Sequence, residues 1–83
     1  MKRANIRVVI HELGGVQAFS ARLGVSDNAV YSWIRSNSLP LDRAEALQEE
    51  YGIDRDLLHD PWRAFDGREK LTEEETRALF KRG

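Results

Sequence analysis

Residues 16–35 constrain this chain more than any other stretch, because two helical patterns flank three residues, Gly24-Val25-Ser26, that suit a tight turn. In the first pattern Val16, Phe19 and Leu23 recur at i, i+3 and i+7, one apolar stripe at helical period. Ser20 is small where a second helix has to cross closely. Gly24 stands where the first helix must stop, and a left-handed residue there costs glycine almost nothing but most others about 1–2 kcal/mol. Val25 offers an apolar side chain to the inside of the turn. Ser26 is a natural N-cap, and Asp27 falls in the first turn of the next helix, where the macrodipole favours negative charge. In the second pattern Val30, Trp33 and Ile34 share one face, and Asp27, Asn28, Tyr31, Ser32 and Arg35 occupy the other. The stretch reads as helix, turn, helix.

An inward apolar face and an outward hydrogen-bonding face are what a helix needs to enter the major groove of DNA, where each base pair shows its own donor and acceptor pattern. The competing reading is an ordinary pair of helices with a solvated polar side. Asn28 is the strongest reader on chemistry, since an amide can pair bidentately with adenine N6 and N7. Tyr31 suits a thymine methyl or a phosphate, or else shields the core edge. Trp33 shares the face of Val30 and Ile34 and belongs to the core.

The remaining elements form a scaffold. Ile6, Val9, Ile10 and Leu13 fall at helical spacing, so Asn5–Leu13 is expected to be a helix, capped by Asn5 and ended by Gly14-Gly15. Ser36-Asn37-Ser38 reads as a polar loop closed by Leu39-Pro40. A fourth helix is expected over Leu41–Tyr51, ended by Gly52. A short fifth is capped by Asp54, carries Leu57 and Leu58 with Ile53 inward, and stops before Pro61. Residues 63–70 lack helical periodicity and read as a linker. Thr72 and Glu75 make a capping box for a last helix running through Lys81 with Leu71, Ala78, Leu79 and Phe80. A helix so short is marginal alone and must dock, pair with a second subunit, or fray. The expectation is therefore an all-α chain: a five-helix domain over 1–62 and a linker with a C-terminal helical arm over 63–83.

Composition narrows the class. Eighty-three residues suffice for one small domain, and with a core this small a dimer would add stability. There is no cysteine, which excludes disulfides and cysteine-ligated zinc and suits a cytoplasmic setting. No apolar run reaches membrane-span length, and Arg7, His11 and Glu12 break the stretch after Met1-Lys2-Arg3 that a signal peptide would require. The net charge of −1 hides an asymmetry. Residues 1–43 carry six basic and three acidic side chains, whereas 44–83 carry seven and eleven. The positive surplus thus lies in the half with the turn motif. His11 and His59 are separate and have no partner at metal-ligand spacing, so no metal or cofactor is expected. No nucleophile–base set or glycine-rich phosphate loop is visible, so no enzyme activity is expected.

From Gly14 to Trp62 the chain resembles the Cro-type phage repressors and the YdaS-like antitoxin group. Gly14-Gly15-Val16-Gln17-Ala18-Phe19, Leu23-Gly24-Val25-Ser26, Ala29-Val30-Tyr31-Ser32-Trp33 and Leu39-Pro40 carry the likeness, with Asp54–Trp62 as its ending. Ser20 and Asp27 depart from the family pattern. The resemblance implies a lambda-repressor-like helix-turn-helix fold and a dimeric regulator on double-stranded operator DNA. It implies base contacts from Asp27, Asn28, Tyr31 and Ser32, and backbone contacts from Gln17, Arg35, Ser36, Asn37 and Ser38. Lys2, Arg3 and Arg7 are further phosphate candidates on charge alone. An alternative is an antitoxin whose C-terminal arm binds a toxin protein and whose DNA binding serves autoregulation. A third is a helix-turn-helix used only for protein contact.

Overall fold

Among the described residues, local capping chemistry accounts for half of the helix boundaries, three side-chain N-caps and three left-handed C-caps. The computed structural model describes residues 3–59 and 70–80, and the helices among them are α1 (Ile6–Glu12), α2 (Val16–Leu23), α3 (Asp27–Ser36), α4 (Leu41–Tyr51), α5 (Arg55–Leu58) and α6 (Glu73–Ala78). Lys2, most of the expected linker (63–69), the Pro61-Trp62 ending and Lys81 lie outside the described residues. Among the described residues no strand forms; a single bridge joins Arg3 and Lys70. The all-α expectation holds.

Ser26 opens α3 by accepting from the Ala29 N–H at 3.2 Å, and Asp54 opens α5 by accepting from the Asp56 N–H at 2.9 Å. The Thr72–Glu75 capping box is complete, with reciprocal bonds of 3.1 and 2.9 Å. Gly24 adopts φ 69° and ψ 32°, and the Val25 N–H reaches back to the Ser20 carbonyl at 3.0 Å. That bond spans five residues and closes α2 with a left-handed cap.

Asn5 departs from expectation. Its side chain makes no cap bond; the first free N–H of α1, on Ile6, instead donates to Asn37 Oδ1 at 2.9 Å. Asn37 has φ 53° and ψ 41°, a left-handed conformation that asparagine tolerates better than most residues. The Ser38 N–H bonds the Trp33 carbonyl at 3.1 Å, so α3 ends with the same five-residue return as α2.

The core combines Ile6, Val9 and Ile10 of α1 with Phe19, Val30, Leu39, Ala44, Leu47, Ile53 and Leu58. Trp33, Ile34 and Leu13 are half-buried against it, and the Trp33 ring meets Phe19 edge-on at 6.3 Å. Such edge-to-face pairs contribute about 0.5–1.5 kcal/mol beyond their burial.

Helix α6 docks on α1 of its own chain. Thr76 is fully buried and its Oγ1 accepts from the Asn5 N–H at 3.1 Å. Arg77 pairs with Glu12 at 3.0 Å, and Phe80 stacks edge-on against Tyr51 at 5.6 Å. Val8 lies off the expected stripe of α1 yet is buried, and it borders the same hollow as Glu73 and Arg77 of α6. Ala78, expected inward, is exposed.

Candidate nucleic-acid interface

Helices α2 and α3 pack against each other through Phe19, Val30 and Trp33, and that packing decides which side of α3 stays outside. Val30 is completely buried. The opposite stripe, Asn28, Tyr31, Ser32 and Arg35, is exposed, with Tyr31 at 50% one of two exposed large apolar side chains among the described residues. These four residues recur at i, i+3, i+4 and i+7, so their side chains rise from one strip of the helix surface. Among the described residues, none of the four has a side-chain hydrogen bond or ion pair within the chain. Gln17 is exposed in the first turn of α2.

Asp27 is exposed but held. Its Oδ1 lies 2.5 Å from Ser20 Oγ on α2. A carboxylate leaning back onto its own scaffold does not stand beside Asn28 as an unengaged reader.

Ser36 at the end of α3 and the two residues after it turn towards the chain's own backbone. Ser38 is 2% exposed, so its hydroxyl does not face a phosphate. Asn37 is half-buried and engaged at both ends of its amide, with Nδ2 donating to the Ala4 carbonyl at 3.0 Å and Oδ1 accepting from Ile6. Ser36 is half-buried and its hydroxyl donates to the Trp33 carbonyl at 3.3 Å, inside its own helix. The left-handed exit from α3 turns this loop towards α1 and away from the exposed strip. Of the backbone-contact expectations, Gln17 and Arg35 keep exposed side chains.

The arginines divide in the same way. Arg3 is 9% exposed and donates to the Asp56 and His59 carbonyls, so it is no phosphate contact. Arg22 is tied to Tyr51 and Glu50, which together push its pKa up, the Tyr51 hydroxyl most. Arg55 pairs with Glu45 at 2.5 Å, and Arg43 sits 4.0 Å from Asp42. Arg7 and Arg35 are exposed and, among the described residues, have no carboxylate within ion-pair distance. Neither the burial of Arg3 nor the Asn37 clamp carries a local sequence signal, because both depend on partners far along the chain.

Other surfaces offer less chemistry. The hollow between α2 and α4 holds about 160 Å³ and is lined by Phe19, Leu23, Ala46 and Leu47 under a charged rim. That falls below the roughly 300–1,000 Å³ of small-molecule pockets. His59 Nδ1 is bonded to the Leu39 carbonyl at 2.8 Å. Among the described residues no three side chains are grouped to hold a metal, and no helix is long and apolar enough to cross a membrane. Comparison of the chain with protein-family models, with characterised proteins and with solved structures finds no match.

Proposed function

We propose that this chain is a sequence-specific DNA-binding transcriptional regulator of the Cro type, with α3 as its recognition helix. The observation that carries the proposal is the exposed strip of Asn28, Tyr31, Ser32 and Arg35, whose side chains are uncommitted among the described residues while the reverse face of α3 is packed into the core. A helix is the element that fits the major groove. An amide, a phenol and a hydroxyl are groups that read base edges, and Arg35 supplies a charge for the phosphates at the end of the strip. Gln17, at the start of α2, is the second backbone contact. Two copies related by a two-fold axis would address half-sites about 34 Å apart. With α6 seated on α1, residues 70–80 have a place without a toxin partner, which favours the regulator over the antitoxin reading.

Selection of duplexes from a random library tests this. The expected result is an enriched two-half-site sequence, with affinity falling on added salt by a log–log slope of about −0.9 per neutralised phosphate. Asn28→Ala should lose about 1–3 kcal/mol and relax preference at one base pair. Failure of any sequence to enrich would refute the proposal.

A further inference from the structure

Ser20 and Asp27 face each other across the turn between α2 and α3. Ser20 is 4% exposed, and its Oγ lies 3.1 Å from the Gln17 carbonyl oxygen and 2.5 Å from Asp27 Oδ1. A hydroxyl has one proton to donate. The carboxylate is the nearer acceptor and is charged, so the proton belongs there; charge-assisted bonds are roughly twice as strong as neutral ones. Among the described residues this is the one side-chain hydrogen bond that joins α2 to α3.

Its position matters. The two helices meet at Gly24, whose left-handed turn is closed by the Val25 N–H to Ser20 carbonyl bond, a backbone contact that fixes the end of α2 but does not reach the side chains of α3. The apolar anchors of α3, Val30 and Trp33, come one and two turns further along. The Ser20–Asp27 bond holds the end that carries Asn28. A side-chain tip about 6 Å from the helix axis moves about 1 Å for each 10° of helix rotation. Misplacement of that size spoils a bidentate contact, which needs its partners within about 0.5 Å.

We propose that Ser20 and Asp27 form a brace that sets the rotation of α3 against α2, and that Asp27 is a positioning residue for Asn28 rather than a base reader. The consequence for sequence preference rests on the DNA-binding function proposed above; the mechanical role does not. The test uses the full chain as wild type, Ser20→Ala, Asp27→Ala, Asp27→Asn and the Ser20→Ala/Asp27→Ala double variant. Each is titrated against the duplex most enriched by the wild type and against a scrambled duplex of equal length. Amide hydrogen exchange of Ala29–Tyr31 is followed in the absence of DNA. Ser20→Ala and Asp27→Ala should each lose about tenfold of the enriched-to-scrambled ratio, and the double variant no more than either alone. Asp27→Asn keeps an oxygen to accept from Ser20, so its ratio should stay within about twofold even as both affinities rise with the lost charge. Exchange at Ala29–Tyr31, whose amides are hydrogen-bonded, should quicken about tenfold in the two alanine variants and not in Asp27→Asn. An unchanged ratio in Ser20→Ala overturns the proposal. So does an Asp27→Asn variant that switches preference at a single base pair, since Asp27 would then be reading it. If the wild type enriches no duplex, the DNA-binding function falls and takes the specificity role with it. The brace is then judged on exchange alone, where an unchanged Ser20→Ala overturns it.

Discussion

Replacing Asn37 separates a structural clamp from a phosphate contact. The residue sits in the left-handed region at φ 53°, its Nδ2 donates to the Ala4 carbonyl and its Oδ1 accepts from the Ile6 N–H. Ala4 and Ile6 are both 0% exposed, so in the native fold their backbone groups rely on this amide rather than on solvent. In Asn37→Ala the left-handed conformation costs about 1–2 kcal/mol. The orphaned Ile6 N–H adds about 1–3 kcal/mol, for a combined loss of about 2–5 kcal/mol. An 83-residue domain has a total stability of about 4–12 kcal/mol, so the variant should be marginally folded at room temperature. Asn37→Gly removes the strain but not the lost bonds. After allowance for the greater freedom of glycine in the unfolded chain, it should be about 1 kcal/mol more stable than Asn37→Ala.

Urea denaturation of the three proteins, compared at equal m-value, measures both differences. The clamp argument fails if Asn37→Ala unfolds within about 1 kcal/mol of the wild type, or if Asn37→Gly is as stable as wild type. A residue acting on phosphate would give the reverse pattern: unchanged stability and a salt slope reduced by about 0.9.

Two further stability changes follow from single contacts. Thr76→Val keeps the shape but removes the acceptor of the Asn5 N–H, and should cost about 1–3 kcal/mol, lowering Tm by about 4–8 °C per kcal/mol, whereas Thr76→Ser should be milder. A Tm unchanged in Thr76→Val would mean that the Asn5 N–H finds another acceptor. Trp33→Ala removes the edge-on contact with Phe19 from a half-buried site, so it should cost about 2–4 kcal/mol, somewhat less than a fully buried tryptophan. Unaltered denaturation of Trp33→Ala would show that the ring contributes cover rather than cohesion.

The helices were readable because their determinants are local. The Ser26, Asp54 and Thr72 caps lie within three residues of the N–H groups they satisfy, and the stripes through α1 to α4 need only helical period. What escaped the sequence are contacts whose partners are remote. Asn37 reaches Ile6 across 31 positions, Arg3 reaches Asp56 across 53 and Thr76 reaches Asn5 across 71. An asparagine and a serine between a helix and a proline have the composition of a solvated loop, and nothing nearby reveals that they turn inward. Thr76 has the same character: a threonine on a charged helix gives no sign that it is the residue buried. The exposed side of α3 was legible for the opposite reason, since Val30, Trp33 and Ile34 claim one face and leave the other outside. The Ser20–Asp27 bond lay between these cases, with its two residues seven apart and already marked as unusual.

Residues 3–6 show why the C-terminal helix belongs to the packed domain. Residues 3–5 are extended and Ile6 opens α1, yet Ala4 and Ile6 are fully buried, so the backbone groups of these four residues need partners from elsewhere. The Arg3 carbonyl accepts from the Leu71 N–H at 2.7 Å, and the Ala4 N–H donates to the Leu57 carbonyl at 2.9 Å. The Ala4 carbonyl and the Ile6 N–H share the Asn37 amide, and the Asn5 N–H takes the Thr76 hydroxyl. Three separate regions, the exit of α3, the end of α5 and the start and body of α6, are therefore joined through four residues. A chain this small has little apolar area to spare, and losing any one of these partners strands a polar group where water does not reach. The segment from Lys70 to Phe80 thus supplies acceptors, donors and cover that α1 needs. The fixed exit of α3 at Asn37 is held by the same four residues that α6 steadies from the other side.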